Sequence, residues 1–460
     1  MATTPAESQT IDRGRLHVLL ERERRRYASE HPRSRELSRQ AQTTLLAGVP
    51  MSMMGMLPGA FPLFFEGARG DRLTDVDGHS LIDFCLGDGG ALTGHSPAAV
   101  VEAVHRHLDE QGGLTTMLPT ADAVIVGAEL GRRFGLPLWQ FALTATDANR
   151  WVLRLCRMVQ KRRYVLVFNH CYHGSVDETI VMVGPDGTPM AKPGNVGPQI
   201  DPIQTTKVVE FNDLDALSAA LAPRDVAAVL MEPVMTNIGI VLPEPGFLEA
   251  VRALCDESGT LLIDDETHTL SAGIGGCTRA YGLHPDLVTV GKAIASGIPM
   301  AAYGVSAEMG ERILADPEAD LVDTGGVGGT LAGNALSSAA ARATLERVLT
   351  EPNYEHMIAL ATRYSAGVQA VIEEYAMPWM VLQLGARAEY RFCAKVPRSG
   401  GESWAARDAE LDEFMHLSLL NRGIFTTPFH NAALMCPETS AADVDRHTAV
   451  FTEVVGELRS

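Results

Sequence analysis

From about residue 97 to 310, short apolar runs alternate with longer amphipathic stretches, and no other feature of the chain narrows its possible folds as far. "YVLVFN" (164–169), "VAAVLMEPV" (226–234), "GTLLIDDE" (259–266) and "LVTVGK" (287–292) are β-branched and aliphatic almost throughout. Strands covered on both faces have that composition. "FALTAT" (141–146) runs into the helical pattern "DANRWVLRLCRMVQ" (147–160), which is the rhythm of βαβ units around a parallel sheet. The predicted fold class is α/β, with a large domain whose mostly parallel central sheet is flanked by helices and a second, smaller α/β domain. With 460 residues there is material for both. The expected boundaries are an N-terminal segment at 1–90 that joins the small domain and makes dimer contacts, the large domain at 91–345, and a C-terminal small domain at 346–460. Within the first segment, "LFFEGARGDRLTDVDGHSLIDF" (63–84) reads as a hairpin turning at Asp77 and Gly78. The Gly/Pro-rich stretch 183–202 reads as a long surface loop.

A formal net charge of -19 disfavours nucleic acid and anionic membrane as partners over most of the surface. The basic exception, "DRGRLHVLLERERRRYASEHPRSRELSRQ" (12–40), is too rich in Glu for a transit peptide. It reads as a solvated amphipathic helix suited to packing on a partner subunit. No apolar run reaches the roughly 18 residues of a membrane span, and "MATTPAESQT" is too polar for a signal peptide, so a cytoplasmic protein is expected. Seven cysteines (Cys85, Cys156, Cys171, Cys255, Cys277, Cys393 and Cys436) are odd in number and scattered, without a CxxC pair. Reduced thiols fit that pattern.

Ligands of open α/β sheets sit beyond the carboxyl ends of the strands, and four of these ends carry chemistry. In "VTVGKAIASG" (288–297) a buried strand delivers Lys292, one of only five lysines in the chain. A desolvated amine is a usable nucleophile toward carbonyl compounds; a lysine that snorkels to solvent is the alternative. "LLIDDETHT" (261–269) ends on Asp264, Asp265 and Glu266, and strand alternation separates Asp265 from its two neighbours. "LTATDAN" (143–149) places Thr144, Ala145 and Thr146 before a helix whose first turn holds Asp147. That is either an anion site at free N-H groups or an ordinary Thr cap. "NHCYHGS" (169–175) offers Tyr172 as a wall for a planar ring or as a packed bend residue. His170, Cys171 and His173 have no second pair at ligand spacing, so no metal is expected. An amine, a buried acid, an aromatic and an anion site together match the needs of pyridoxal phosphate.

On these segments the chain resembles the class III pyridoxal-phosphate aminotransferases of fold type I, and among them the branch of glutamate-1-semialdehyde aminomutase. The likeness runs from about residue 45 to the end. "LTATDAN" is similar to the family's S-G-T-E-A-N turn, "CYHG" to its stacking segment, "MEPVMTNIG" to its E-P-V strand, "DDETHT" to F-D-E-V-x-T and "GKAIASGIP" to its lysine motif. "GGTLAGNALS" is similar to G-T-x-x-G-N-P and lacks a P-loop lysine. The resemblance implies that Lys292 forms a Schiff base with the cofactor and that Asp265 pairs with its ring nitrogen. It further implies that Thr144, Ala145, Thr146, Tyr172, His173 and Thr267 line the cofactor, and that Glu232 is a supporting acid. Gly329 and Thr330 would then reach the phosphate of a neighbouring subunit, making a homodimer with shared active sites.

Two family devices for holding carboxylates are missing. The arginine of the aminomutase branch falls on Met54, amid Met51, Met53 and Met56, and the mobile arginine of many ω-aminotransferases falls on Thr427. The family's bulky S-W-G segment is matched by "LGDGGAL", with Gly87 and Asp88 where Ser and Trp are expected. Met53, Met54 and Asp88 therefore become pocket candidates for bulky or hydrophobic substrates. Arg387, with Arg391 four residues on, is a candidate carboxylate clamp or a surface residue. Whether the two share a strand face is left open, and His430 and Asn431 are further candidates. The leading expectation is an ω- or amine transaminase that moves an amino group between an amine or non-α-amino acid and a 2-oxoacid, by a ping-pong route through pyridoxamine phosphate. The alternatives are a glutamate-1-semialdehyde-type aminomutase, another pyridoxal-phosphate enzyme (lyase, decarboxylase or epimerase), or a non-catalytic binder of the cofactor.

Overall fold

The structure, a computed structural model, describes residues 11–197, 200–315 and 326–459, so the polar "MATTPAESQT" segment lies outside the described residues. Two compact units emerge. The larger spans Pro97–Pro352 with Pro397–Ala405, and the smaller takes the chain up to Ser96, Asn353–Val396 and the residues from Ala406 onward.

The larger unit is built on a seven-stranded sheet: β1 (Leu138–Ala142), β2 (Tyr164–Phe168), β3 (Thr206–Val209), β4 (Val226–Met231), β5 (Leu261–Asp265), β6 (Leu287–Val290) and β7 (Ala301–Val305). Their order is β1-β7-β6-β5-β4-β2-β3. The pairs β6/β5, β5/β4, β4/β2 and β2/β3 are parallel, and β7 runs antiparallel to both its neighbours. Every residue of β4, β5, β6 and β7 is buried, as the unbroken apolar runs require of strands covered on both faces. Burial on both faces leaves the carboxyl ends of the strands as the place where polar groups meet solvent and ligand. The stretch 183–202 departs from a plain loop, because Pro189–Ala191 pairs antiparallel with Val181–Val183.

In the smaller unit the N-terminal basic stretch forms two helices, Arg13–Glu30 and Pro32–Ala41. Asp12 caps the first by accepting from the Gly14 and Arg15 amides. Its apolar side buries Leu16, Leu19, Leu20 and Tyr27, and it packs on the helix Ala409–Leu420. The apolar stripe expected to face a partner is thus covered within this chain. The expected hairpin is a three-stranded meander of Phe65–Arg69, Arg72–Asp75 and Ser80–Asp83. Gly70, at φ 56, supplies the additional turn, and Ile424–Phe425 joins in parallel beside Ser80–Asp83. At the other turn Asp75 Oδ1 accepts from the Asp77 and His79 amides, both within 2.9 Å. A second antiparallel sheet comprises Met380–Leu384, Arg387–Arg391 and Ala432–Leu434.

Among the described residues no helix is long and apolar enough to cross a membrane. All seven cysteines are free thiols.

Candidate active site

The ends of β1, β2, β4, β5 and β6 carry the expected groups, and hydrogen bonds join them into two connected sets. The first is centred on Asp265, the last residue of β5 and 3% exposed. Its Oδ2 accepts from His173 Nδ1 and Asn149 Nδ2, both at 2.8 Å, and its Oδ1 accepts the Thr267 amide at 3.1 Å. Burial works against the charged carboxyl, but the His173 imidazole, with the bonds from Thr267 and Asn149, outweighs it and holds Asp265 at about 2. Burial likewise opposes the His173 cation, which Cys171 and Asp265 together raise to about 10.

The three consecutive acids part company, as alternation predicts. Asp264, fully buried, has its carboxyl pushed well up by desolvation and then by Glu266. Glu266 turns to the short helix Gly276–Ala280, accepting from the Cys277 amide at 3.0 Å and the Thr278 hydroxyl at 2.6 Å. Of the three, only Asp265 is held below the usual carboxylate range.

The His173–Asp265 pair has a pH signature in the ligand-free protein. Asp265 is depressed in the fold, so its contribution exists above the ordinary Asp value near 3.9 and is lost as pH falls through about 2. His173 is raised, so its contribution is complete below about 6.5 and is lost as pH rises through about 10. His173→Gln is expected to lower the melting temperature by about 2–6 °C between pH ~4 and ~6.5, and by less outside that window. Calorimetry across pH checks this; a deficit that does not vary with pH would mean that only packing was lost.

The second set starts at Lys292. Its backbone sits at φ 51, in the left-handed region that costs a non-glycine residue of order 1–3 kcal/mol and that clusters at functional sites. The preceding Gly291 has no room for a side chain: a Cβ there would lie 3.0 Å from the Ala145 Cβ and 3.4 Å from the Ala145 amide nitrogen. Lys292 therefore leaves its strand against the N-terminus of the helix Ala145–Gln160. Lys292 Nζ contacts His268 Nε2. His268 Nδ1 lies 2.7 Å from Thr236 Oγ1, and Thr236 in turn donates to Glu232 at the end of β4.

At that helix terminus Thr144 Oγ1 accepts the Asp147 amide at 3.1 Å and donates to the Asp147 carboxylate at 2.9 Å. Thr144 is thus a capping residue, and Asp147 is turned back onto the cap. A helix leaves its first amides without intrahelical partners, so those of Ala145 and Thr146 can meet an anion. The Thr146 hydroxyl accepts the Ser175 amide at 3.0 Å. Gly174, at φ 80, permits the approach, since a Cβ there would lie 2.2 Å from Thr146 Oγ1. Tyr172 is 45% exposed, so its ring is not packed away at the bend. Gly329 and Thr330 lie on an exposed turn.

The residues fit pyridoxal phosphate. Thr267 Oγ1 and His173 Nε2 are buried without a hydrogen-bond partner among the described residues, and Thr267 adjoins Asp265, whose carboxyl is held low. The helix-terminal amides can hold a phosphate, Lys292 can supply the amine, and Tyr172 can supply a stacking face. Two participants were not marked in the sequence. Asn149 links His173, Asp265 and Thr289 by bonds of 3.1, 2.8 and 2.7 Å; it is the last letter of the "LTATDAN" match and could have been found there. His268 carries no such signal, because its partners come from two other strand ends.

The substrate-side candidates belong to the smaller unit and are described there by themselves. Met53 and Met54 lie in the 3-10 turn Ser52–Met56, and Met54 is 47% exposed. Asp88, at φ 52, stands in the turn after Ser80–Asp83. Arg387 is buried rather than at the surface and pairs with Glu389 at 3.1 Å. Arg391 and His430 approach Glu389 at 4.0 and 3.8 Å. The strand register is unbroken, so residues 387, 389 and 391 share one face, as a period of two already dictates. Asn431 donates to Asp412 at 2.8 Å.

The family model for class-III aminotransferases matches residues 57–448. A glutamate-1-semialdehyde 2,1-aminomutase of Sorangium cellulosum is 33% identical over 434 residues, which is 93% of this chain and 97% of that protein. Among solved structures, a glutamate-1-semialdehyde-aminomutase from Pseudomonas aeruginosa PAO1 superposes with a TM-score of 0.94 at 49% identity, covering 97% of this chain and 99% of that one. A lysine-to-alanine variant of it is known in complex with PMP. An omega-transaminase from Sphaerobacter thermophilus gives a TM-score of 0.85 at 27% identity, over 94% and 100% of the two chains.

Proposed function

The chain belongs to the class-III aminotransferases, enzymes of pyridoxal phosphate and of fold type I, and from that premise we propose that it moves an amino group within a single substrate, as an aminomutase does. The observation that carries the proposal is the nearly end-to-end likeness to proteins named for 2,1-amino migration. It favours the alternative over the amine transaminase that the pocket residues lead one to expect.

Pyridoxal phosphate, when bound, supplies a sink for the electrons released as a substrate C-H bond breaks. The chain's own groups do the rest. Lys292 Nζ, in its uncharged form, is the nucleophile that holds the cofactor and the base that carries a proton between substrate and cofactor carbon. Asp265, ionised and buried, keeps a proton on the ring nitrogen. Ala145 and Thr146 amides hold the phosphate, Tyr172 and Thr267 confine the ring, and Asn149 and His173 fix the Asp265 carboxylate. In a homodimer, the exposed Gly329–Thr330 turn would complete the phosphate site of the neighbouring subunit.

The second reading, amine:2-oxoacid transamination, is favoured by one observation: exposed Met51, Met54 and Met56 occupy the segment where the aminomutase branch carries a carboxylate-binding arginine. Incubating the holoenzyme with glutamate-1-semialdehyde, without any 2-oxoacid, separates the two. Formation of the isomer bearing the amino group on C1 is expected, followed by NMR. Consumption of hydrophobic amines only when pyruvate is present would establish the transaminase instead.

A further inference from the structure

We propose that His268 is the acid–base partner of Lys292, holding the proton that the lysine must lose before its amine can react. This rests on the reading of Lys292 as the cofactor-binding residue.

The hydrogen bonds set the direction of the relay. Thr236 Oγ1 donates to Glu232 Oε2, so its single hydroxyl proton points there. Thr236 Oγ1 must then accept from His268 Nδ1, 2.7 Å away. The proton of the neutral imidazole is thereby placed on Nδ1, and the Nε2 lone pair faces Lys292 Nζ. The relay is dry: Thr236 is 0% exposed, and the His268 and Glu232 side chains are 8% and 3% exposed.

In the step proposed, the Lys292 N-H bond breaks and the proton bonds to His268 Nε2, leaving a neutral amine and an imidazolium. The positive charge moves toward Glu232, whose Oε2 lies 3.8 Å from His268 Nδ1. No other reactant is needed, and the reverse transfer returns the proton when the amine is released. Lys292 from the end of β6 and Glu232 from the end of β4 both face the imidazole. Asp265, on the same segment as His268, is engaged by His173 and Asn149.

The test uses apoenzyme and measures the rate of covalent capture of pyridoxal phosphate, fixed with borohydride, across pH. His268→Gln keeps an acceptor near Lys292 but cannot take a proton. Its capture rate at pH 7 is expected to be at least about tenfold below wild type and to converge with it at high pH, where hydroxide can take the proton in place of the imidazole. Thr236→Val, which breaks the relay one step further away, is expected to lie between the two. A His268→Gln profile within twofold of wild type at every pH would overturn the proposal, as would Thr236→Val matching wild type should His268→Gln fail to fold. Capture that persists in Lys292→Ala would instead overturn the underlying assignment of the lysine.

Discussion

Lys292→Ala is expected to lower turnover by at least about 10⁴-fold while the protein stays folded and still binds pyridoxal phosphate non-covalently. The size of the effect follows from two duties resting on one amine, attack on the cofactor and proton carriage, so that no single neighbour replaces both. Lys192 is bonded to the Cys171 carbonyl and Lys207 to Asp225. Stability should change little, because the strained φ of 51 belongs to the backbone and alanine inherits it. Steady-state rates together with a melting curve check both halves of the expectation. A variant that retains more than about a hundredth of wild-type turnover would remove Lys292 from the chemistry.

Asp265→Asn should reduce turnover by about 10²–10³-fold with the cofactor retained. Asparagine keeps the shape but not the negative charge that holds a proton on the ring nitrogen. Asp264→Asn is the matched control. Burial, followed by the charge of Glu266, already keeps the Asp264 carboxyl well above the usual range, so a neutral isostere there should leave kcat within about threefold. Equal losses in the two variants would mean that the adjacent acids share one structural job, and the division of labour argued from strand alternation would fail.

Much of this architecture is legible in the sequence because burial on both faces leaves few alternatives to aliphatic and β-branched residues. The runs around Val165, Val229, Ile263 and Val288 therefore announce β2, β4, β5 and β6, and the polar residue after each run marks a ligand-facing end. The opposed fates of Asp264 and Asp265 follow from a period of two. Contacts between distant segments are harder to read. The apolar face of Arg13–Glu30 shows the same pattern whether it meets a partner or the helix Ala409–Leu420. In the sequence the meander reads as a hairpin because Asp77-Gly78 is a strong turn signal and the Gly70 turn a weaker one. Arg387 is indistinguishable from a surface arginine until Glu389, two residues on, is seen to lie on the same buried face. His268 looks like a spacer between two threonines, and only the convergence of the β4, β5 and β6 ends sets it between Lys292 and Thr236.

The most direct test of the whole account is a peptide map of holoenzyme reduced with borohydride. The cofactor's mass should appear on the peptide containing Lys292 and vanish in Lys292→Ala; its appearance on Lys161, Lys192, Lys207 or Lys395, or on no peptide at all, would contradict the site described above.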